Sequence, residues 1–176
     1  LGIDLSEKMI AEARKRNAGP GIEYQVCGIG EYEYPADAWD CVVSNLALHY
    51  VEDLEEVFRK VYRTLKGDGV FLFNIEHPVF TSAEGQDWIY GEDGQPRHWP
   101  VDRYFLPGRR ETHFLGCDVL KYHHTLTQIL MGVLRSGFVL EAVEEAMPPE
   151  EMMDIPGMEN ELRRPMMLLV KVRAVK

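Results

Sequence analysis

Apolar and polar positions alternate along this chain between short apolar runs and amphipathic stretches. That pattern predicts an α/β fold. Leu1–Ile3 reads as the tail of a buried strand ending in an acid, Asp4. Ser6 is a good N-cap and Glu7 suits a helix's first turn. Met9, Ile10 and Ala13 supply the inner face, and the helix stops near Asn17, before Gly19-Pro20. Ile22–Cys27 predicts a second strand, and Gly28-Ile29-Gly30 a flexible turn. Asp40–Ser44 predicts a short buried strand. Asp53 and Glu56 then form a capping box, and Leu54, Val57, Phe58, Val61, Tyr62 and Leu65 share one helix face. Gly67-Asp68-Gly69 ends that helix. The apolar run Val70–Ile75 predicts a parallel strand covered on both faces.

The rhythm breaks over residues 76–123. This stretch is rich in Gly, Pro, aromatic and polar residues, too long for a plain loop, and reads as an insertion covering the ligand end of the sheet. The stretch and its border hold His77, His98, His113, His123 and His124, with Trp88 and Trp99. Arg110–Tyr122 has room for a hairpin strand. Beyond it, Thr125 and Gln128 make a second capping box, and Leu126, Ile129, Leu130, Val133 and Leu134 form a helix stripe that Gly137 stops. Phe138–Ala146 predicts a strand, Pro148–Arg164 a surface excursion, and Met166–Val172 a last strand. The whole predicts an α/β sheet with an antiparallel element late in the chain.

Length and composition narrow the function. A chain of 176 residues suits one domain, 45% hydrophobic and 27% charged. The net charge of -10 argues against nucleic acid as a partner, because phosphate binding needs a basic face. Arg109-Arg110 and Arg163-Arg164 are isolated pairs, read as solvated surface or as a clamp for an anionic substrate. Cys27, Cys41 and Cys117 have neither disulfide nor zinc spacing, so no metal is expected. Buried thiols in a reducing cytoplasm are the simplest reading. No apolar run reaches the ~20 residues of a membrane helix, and no signal peptide is visible.

Several turn sequences carry a family resemblance. They are Leu1-Gly2-Ile3-Asp4-Leu5-Ser6, the run from Trp39-Asp40-Cys41 through Asn45-Leu46-Ala47-Leu48-His49-Tyr50, and Leu65-Lys66-Gly67-Asp68-Gly69. In this order they resemble the second strand, the fourth strand and the entry to the fifth strand of a class I S-adenosylmethionine-dependent methyltransferase. Glu76-His77-Pro78-Val79-Phe80 and Arg164-Pro165-Met166-Met167 resemble a bacterial subgroup acting on small molecules. The resemblance implies a Rossmann-like three-layer sandwich, a mostly parallel sheet with a late antiparallel strand. It implies S-adenosyl-L-methionine as cofactor and a small-molecule methyl acceptor. The family's glycine-rich first loop and central first strand have no counterpart here, so the chain is expected to begin inside the domain. Gly28 stands where many members carry an acid for the adenine amino group, leaving backbone groups and Ile29 for that contact.

Carried onto this sequence, the resemblance gives Asp4 the two ribose hydroxyls and sets Leu5 and Ile29 around the adenine. Asn45, Leu46 and His49 would flank the cofactor's other side. Direct methyl transfer needs position more than a catalytic triad. An oxygen or nitrogen acceptor adds the need for a base, and Glu76, His77, His123 and His124 are the candidates. Trp88, Tyr90, Trp99, Tyr104 and Phe105 would wall an acceptor pocket or form a second core under the insertion. Two other readings stay open: a non-catalytic binding or assembly protein, and a nicotinamide binder, for which the required glycine turn is missing. Oligomeric state is not specified by the sequence.

Overall fold

The computed structural model describes residues 1–114 and 116–176. The chain forms two compact units, Leu1–Pro35 and Ala36–Lys176.

In the first unit, strand β1 (Gly2–Asp4) leads into helix α1 (Glu7–Arg16), and strand β2 (Tyr24–Val26) returns parallel to β1. Ser6 caps α1 as expected, its hydroxyl accepting from the Met9 amide at 3.3 Å. Glycine is required at position 2, because a Cβ there would meet the Tyr24 ring at 2.9 Å. Ile10 is the buried residue of α1, whereas Met9, expected inward, is exposed. The second strand is shorter than the predicted Ile22–Cys27. Gly19–Ile22 forms a turn closed by the Ile22 amide on the Gly19 carbonyl, and that turn uses up the start of the apolar run.

The second unit is built on four strands: β3 (Trp39–Asn45), β4 (Leu65–Glu76), β9 (Phe138–Glu145) and β10 (Met167–Ala174). Their order is β3-β4-β10-β9. β3 and β4 run parallel, and β10 runs antiparallel to both β4 and β9. Three strands therefore point one way, and β10 is the late antiparallel element. Helix α2 (Leu54–Thr64) precedes β4, and helix α4 (Leu126–Arg135) precedes β9.

The core forms between these helices and one face of the sheet. Phe58 of α2 stacks on Phe73 at 5.5 Å and meets Phe71 at 6.2 Å, while Ile129 and Val133 of α4 are fully buried. Gly132 lets α4 approach closely, since a Cβ there would lie 3.2 Å from the Phe58 ring. Leu168, Val170, Val172 and Ala174 alternate into the same core from β10.

The structure differs from the sequence expectation at β4. Gly67-Asp68-Gly69 does not end an element there. Leu65 caps α2 and starts the strand, which runs through the glycines to Glu76. Nor is the run buried evenly: Phe71, Phe73 and Ile75 are buried, and Leu72 is 38% exposed. β4 is parallel to β3 but antiparallel to β10, and its burial is that of a strand with one strongly buried face, the one packed against α2. On α4, Leu134 of the expected stripe is exposed.

Residues 76–123 contain structure of their own. Helix α3 (Pro78–Thr81) is followed by a small pair, β5 (Ile89–Tyr90) with β6 (Pro96–His98), and by a hairpin, β7 (Gly108–Phe114) with β8 (Cys117–His123). Period-two burial puts Arg110 and Thr112 of β7 and Lys121 and His123 of β8 inward. The excursion near 150–164 forms 3-10 turns at Glu150–Met152 and Met158–Arg163. Among the described residues no helix is long and apolar enough to cross a membrane.

Candidate active site

The expected site residues fall in both units. In the first, Asp4 stands at the carboxyl end of β1, and its Oδ1 accepts from the Ser6 amide at 2.7 Å. This bond fixes the carboxylate at the strand-to-helix turn. Leu5 is 73% exposed, an open apolar surface next to the acid. A Cβ at Gly28 would lie 3.6 Å from Leu5 Cδ1 and 3.3 Å from Glu31 Oε2. Asp4, Leu5 and Gly28 are thus neighbours, and Ile29 follows directly. Glu31 was not anticipated. Its carboxylate lies 3.4 Å from the Gly28 amide, so an acid is present beside Gly28 although the sequence position itself lacks one. The Ile29 carbonyl accepts from the Tyr34 hydroxyl at 2.8 Å, and burial pushes that phenol up to about 12.

In the second unit, Asn45 ends β3 and Leu46 follows with φ +53°. A branched residue in the left-handed region is strained, and such strain concentrates at functional turns. Two bonds hold the turn: the Leu46 amide donates to the Asn74 carbonyl at 2.9 Å, and Asn74 Nδ2 donates to Asn45 Oδ1 at 3.1 Å. Asn74 Oδ1 and Ser44 Oγ nearby are buried without a protein partner. Buried polar atoms of this kind call for a ligand or water.

His49 sits in the 3-10 turn Leu48–Tyr50 and is buried. Its Nδ1 accepts from the Glu76 amide at 3.4 Å, which puts the ring proton on Nε2, 3.9 Å from Glu76 Oε1. Burial, then the Lys121 charge, push His49 down to about 3, so it stays neutral. Glu76 is 7% exposed, at the carboxyl end of β4. Its Oε1 accepts from Lys121 Nζ at 2.6 Å, and its Oε2 is buried without a protein partner. Burial raises the carboxyl's pKa, and the Lys121 ammonium opposes that rise.

The three histidine candidates are held differently. His77 caps α3: its Nδ1 accepts from the Val79 amide at 3.1 Å, and Glu145 Oε1 lies 2.9 Å from Nε2. Burial lowers its pKa and Glu145 opposes the change. His123 is 0% exposed; its Nε2–H donates to the Tyr104 carbonyl at 2.9 Å, so Nδ1 accepts from the Thr81 hydroxyl at 2.7 Å. His124 Nε2 donates to the Val51 carbonyl at 2.9 Å. Burial lowers both of their pKa values. With both ring nitrogens engaged, His123 is held as a structural tie between Thr81 of α3 and the Tyr104 backbone. Glu76 alone among the four candidates combines burial with an open acceptor atom.

The aromatic residues separate into two groups. Trp88 and Trp99 meet edge-to-face at 5.4 Å and line a pocket of 240 Å³ with Val79, His98, Arg163 and Arg164. Phe80 stacks on Trp99 at 4.9 Å, and Arg164 lies over Trp99 at 4.4 Å while bonding Glu161 through both terminal nitrogens. Tyr104 is elsewhere: its hydroxyl accepts from the Leu126 amide, and its ring packs on His123. Phe105 is 84% exposed and Tyr90 is exposed. Tyr104 and Phe105 therefore do not share the tryptophan pocket.

Lys121 and Gln86 were not anticipated, and the basic pairs are not simple solvated surface: Arg110 and Arg164 are buried, held by backbone carbonyls and by Glu161 respectively. Lys121 is 1% exposed and also donates to Gln86 Oε1 at 3.0 Å. Arg110, its register partner on β7, donates to the carbonyls of Ser82, Arg103, Leu106 and Arg109. The alternation Val119-Lys121-His123 was the available signal, since it puts Lys121 on the same hairpin face as a histidine. Among the described residues no group of three His, Cys, Asp or Glu side chains could hold a metal ion.

Comparison with known proteins adds to this geometry. Residues 1–73 match the model of a methyltransferase domain family. A structure from Listeria monocytogenes, assigned as an S-adenosylmethionine-dependent methyltransferase, is 44% identical with a TM-score of 0.95, over 99% of this chain and 79% of that one. An S-adenosylmethionine-dependent methyltransferase from Mesorhizobium loti is 41% identical with a TM-score of 0.88, over 98% and 78% of the two chains. An uncharacterized protein of Haemophilus influenzae is 28% identical, over 100% of this chain and 72% of its own. With relatives this similar over this much of their length, the chain belongs to the class I S-adenosylmethionine-dependent methyltransferases, whose cofactor is S-adenosyl-L-methionine.

Proposed function

We propose that this chain transfers a methyl group to a small-molecule acceptor, with Glu76 taking the acceptor's proton. One observation carries the reading: a carboxylate buried at the carboxyl end of β4, one oxygen held by Lys121 and the other without a protein partner. When bound, S-adenosyl-L-methionine would supply an electrophilic methyl group on a sulfonium, for which S-adenosylhomocysteine is the neutral leaving group.

The residues present fit this cofactor. Asp4 would hold the ribose hydroxyls by charge-assisted bonds. Leu5 and Ile29 would contact the adenine, and glycine at 28 keeps the space beside Leu5 clear of a side chain. Asn45, Leu46 and His49 would bind the methionine end, where Asn74 Oδ1 is left without a partner. The family model runs from the first unit into the second, which supports a single methyltransferase domain over 1–176, with 76–123 as its insertion. The Trp88–Trp99 pocket supports an acceptor with an apolar part. The cysteines are not buried as expected, since Cys41 and Cys117 are exposed and Cys27 is half-buried; free exposed thiols fit a reducing, cytoplasmic setting.

Calorimetric titration with S-adenosylhomocysteine tests the cofactor site. The chain should bind it, and Asp4→Ala should weaken binding about tenfold or more, the loss expected for a charged hydrogen-bonding partner. Equal affinity of the two proteins would remove Asp4 from the site.

A further inference from the structure

Lys121 has three protons to donate and no acceptor. One proton goes to Glu76 Oε1 at 2.6 Å, and a second to Gln86 Oε1 at 3.0 Å. The second bond fixes the Gln86 amide with its oxygen toward the ammonium, leaving Nε2 as a donor. That nitrogen and Glu76 Oε2 are both buried without protein partners. Around the single ammonium of Lys121 there are thus one open acceptor, on Glu76 at the end of β4, and one open donor, on Gln86. The rings of Phe114 and Phe80 lie 4.8 Å and 6.0 Å from Lys121 Nζ and exclude water from it.

The other groups facing Glu76 come from the Leu48–Tyr50 turn. His49 is neutral, and Tyr50 is held in its neutral form, first by burial and then by the Glu76 charge. Glu76 and Lys121 cancel, so the buried site carries no net charge. A charged acceptor entering it would lose its hydration without meeting a counter-charge. A neutral hydroxyl satisfies both open atoms. Its proton meets Glu76 Oε2, one oxygen lone pair accepts from Gln86 Nε2, and the other lone pair stays free.

We propose that Lys121 and Gln86 are positioning residues that make the Glu76 site select a neutral hydroxyl-bearing acceptor, an alcohol or a phenol. This rests on the methyltransferase reading above.

Two readouts on the full chain test it. The Glu76 carboxyl carbon resonance, assigned by its loss in Glu76→Gln, is titrated in wild type, Lys121→Met and Lys121→Arg. Removing the neighbouring cation should raise the midpoint by about one pH unit or more, and arginine should restore it. Phenol, anisole, benzoate and benzylammonium are then compared by saturation-transfer NMR on protein saturated with S-adenosylhomocysteine. Phenol should bind at least about fivefold more tightly than the other three, a difference on the scale of one hydrogen bond. Lys121→Met should abolish that preference. Where Lys121→Met does not fold, Gln86→Leu, which keeps the ion pair, should reduce it. An unmoved midpoint, or a charged probe binding as tightly as phenol, overturns the proposal. Failure of S-adenosylhomocysteine to bind overturns the methyltransferase reading instead, while the carboxyl titration still reports on Lys121.

Discussion

His49 remains neutral because burial denies its charged form water and the Lys121 ammonium repels it. That has a consequence for stability. The unfolded chain's histidine takes up a proton near pH 6.5, whereas the folded one does so only at about 3. Acid therefore favours the unfolded state. Stability is full above about pH 6.5 and falls as the pH drops below it, by about 2 kcal/mol at pH 5 for a group so shifted. His123 and His124, also lowered by burial, add in the same direction. Glu76 acts oppositely, because a carboxyl raised in the fold gains stability as the pH falls. Melting curves from pH 8 to pH 5 should fall less steeply for His49→Gln than for wild type; identical slopes would show that His49 is not a source of the loss. Asp4 was legible as a turn acid at the end of a short apolar run, and its Oδ1 does accept from the Ser6 amide; only the family resemblance, not the run itself, suggested a ribose for it. Lys121 and Gln86 were not, because their partners are 45 and 35 residues away along the chain and meet only once the hairpin has folded.

At the scale of elements, the helices followed the sequence most closely. Thr125 and Gln128 form both halves of their capping box, and Asp53 accepts from the Glu56 amide at 2.9 Å. Such signals are local, so they survive without knowledge of the fold. The strand start at Leu65 was hidden because Gly67 and Gly69 look like a stop, whereas pairing with β3 and β10 carries the strand through them. Within residues 76–123, the buried Arg110 does the work of a small core. Its guanidinium donates to four backbone carbonyls, tying the buried Ser82 to Arg103, Leu106 and Arg109. Arg110→Leu should therefore loosen the insertion selectively. Amide exchange should accelerate over residues 78–107 and the β7–β8 hairpin, while β3, β4, β9 and β10 keep their protection. Uniform acceleration across the sheet would show that Arg110 supports the whole unit; no change would show that the carbonyls need no donor.

Over the whole molecule, the candidate site residues divide between the two units. The first unit carries the turn acid Asp4 and the open apolar side chain of Leu5. The second carries the strained turn at Leu46, the neutral His49 and the ion-paired Glu76. In the proposed reading the acceptor is set by residues 76–123, where the sequence suggested a hairpin but not the long-range contacts of Lys121 with Glu76 and Gln86. Transfer of label from methyl-labelled S-adenosylmethionine into a small-molecule fraction, by wild type beside Glu76→Gln, tests the account most directly. The account predicts labelled small molecules with wild type, and a loss of about 10²–10⁴-fold with Glu76→Gln, the usual contribution of a general base. S-adenosylhomocysteine affinity should be equal in the two proteins. Equal labelling by both would contradict the role of Glu76, and no labelling by a cofactor-binding wild type would contradict methyl transfer to a small molecule.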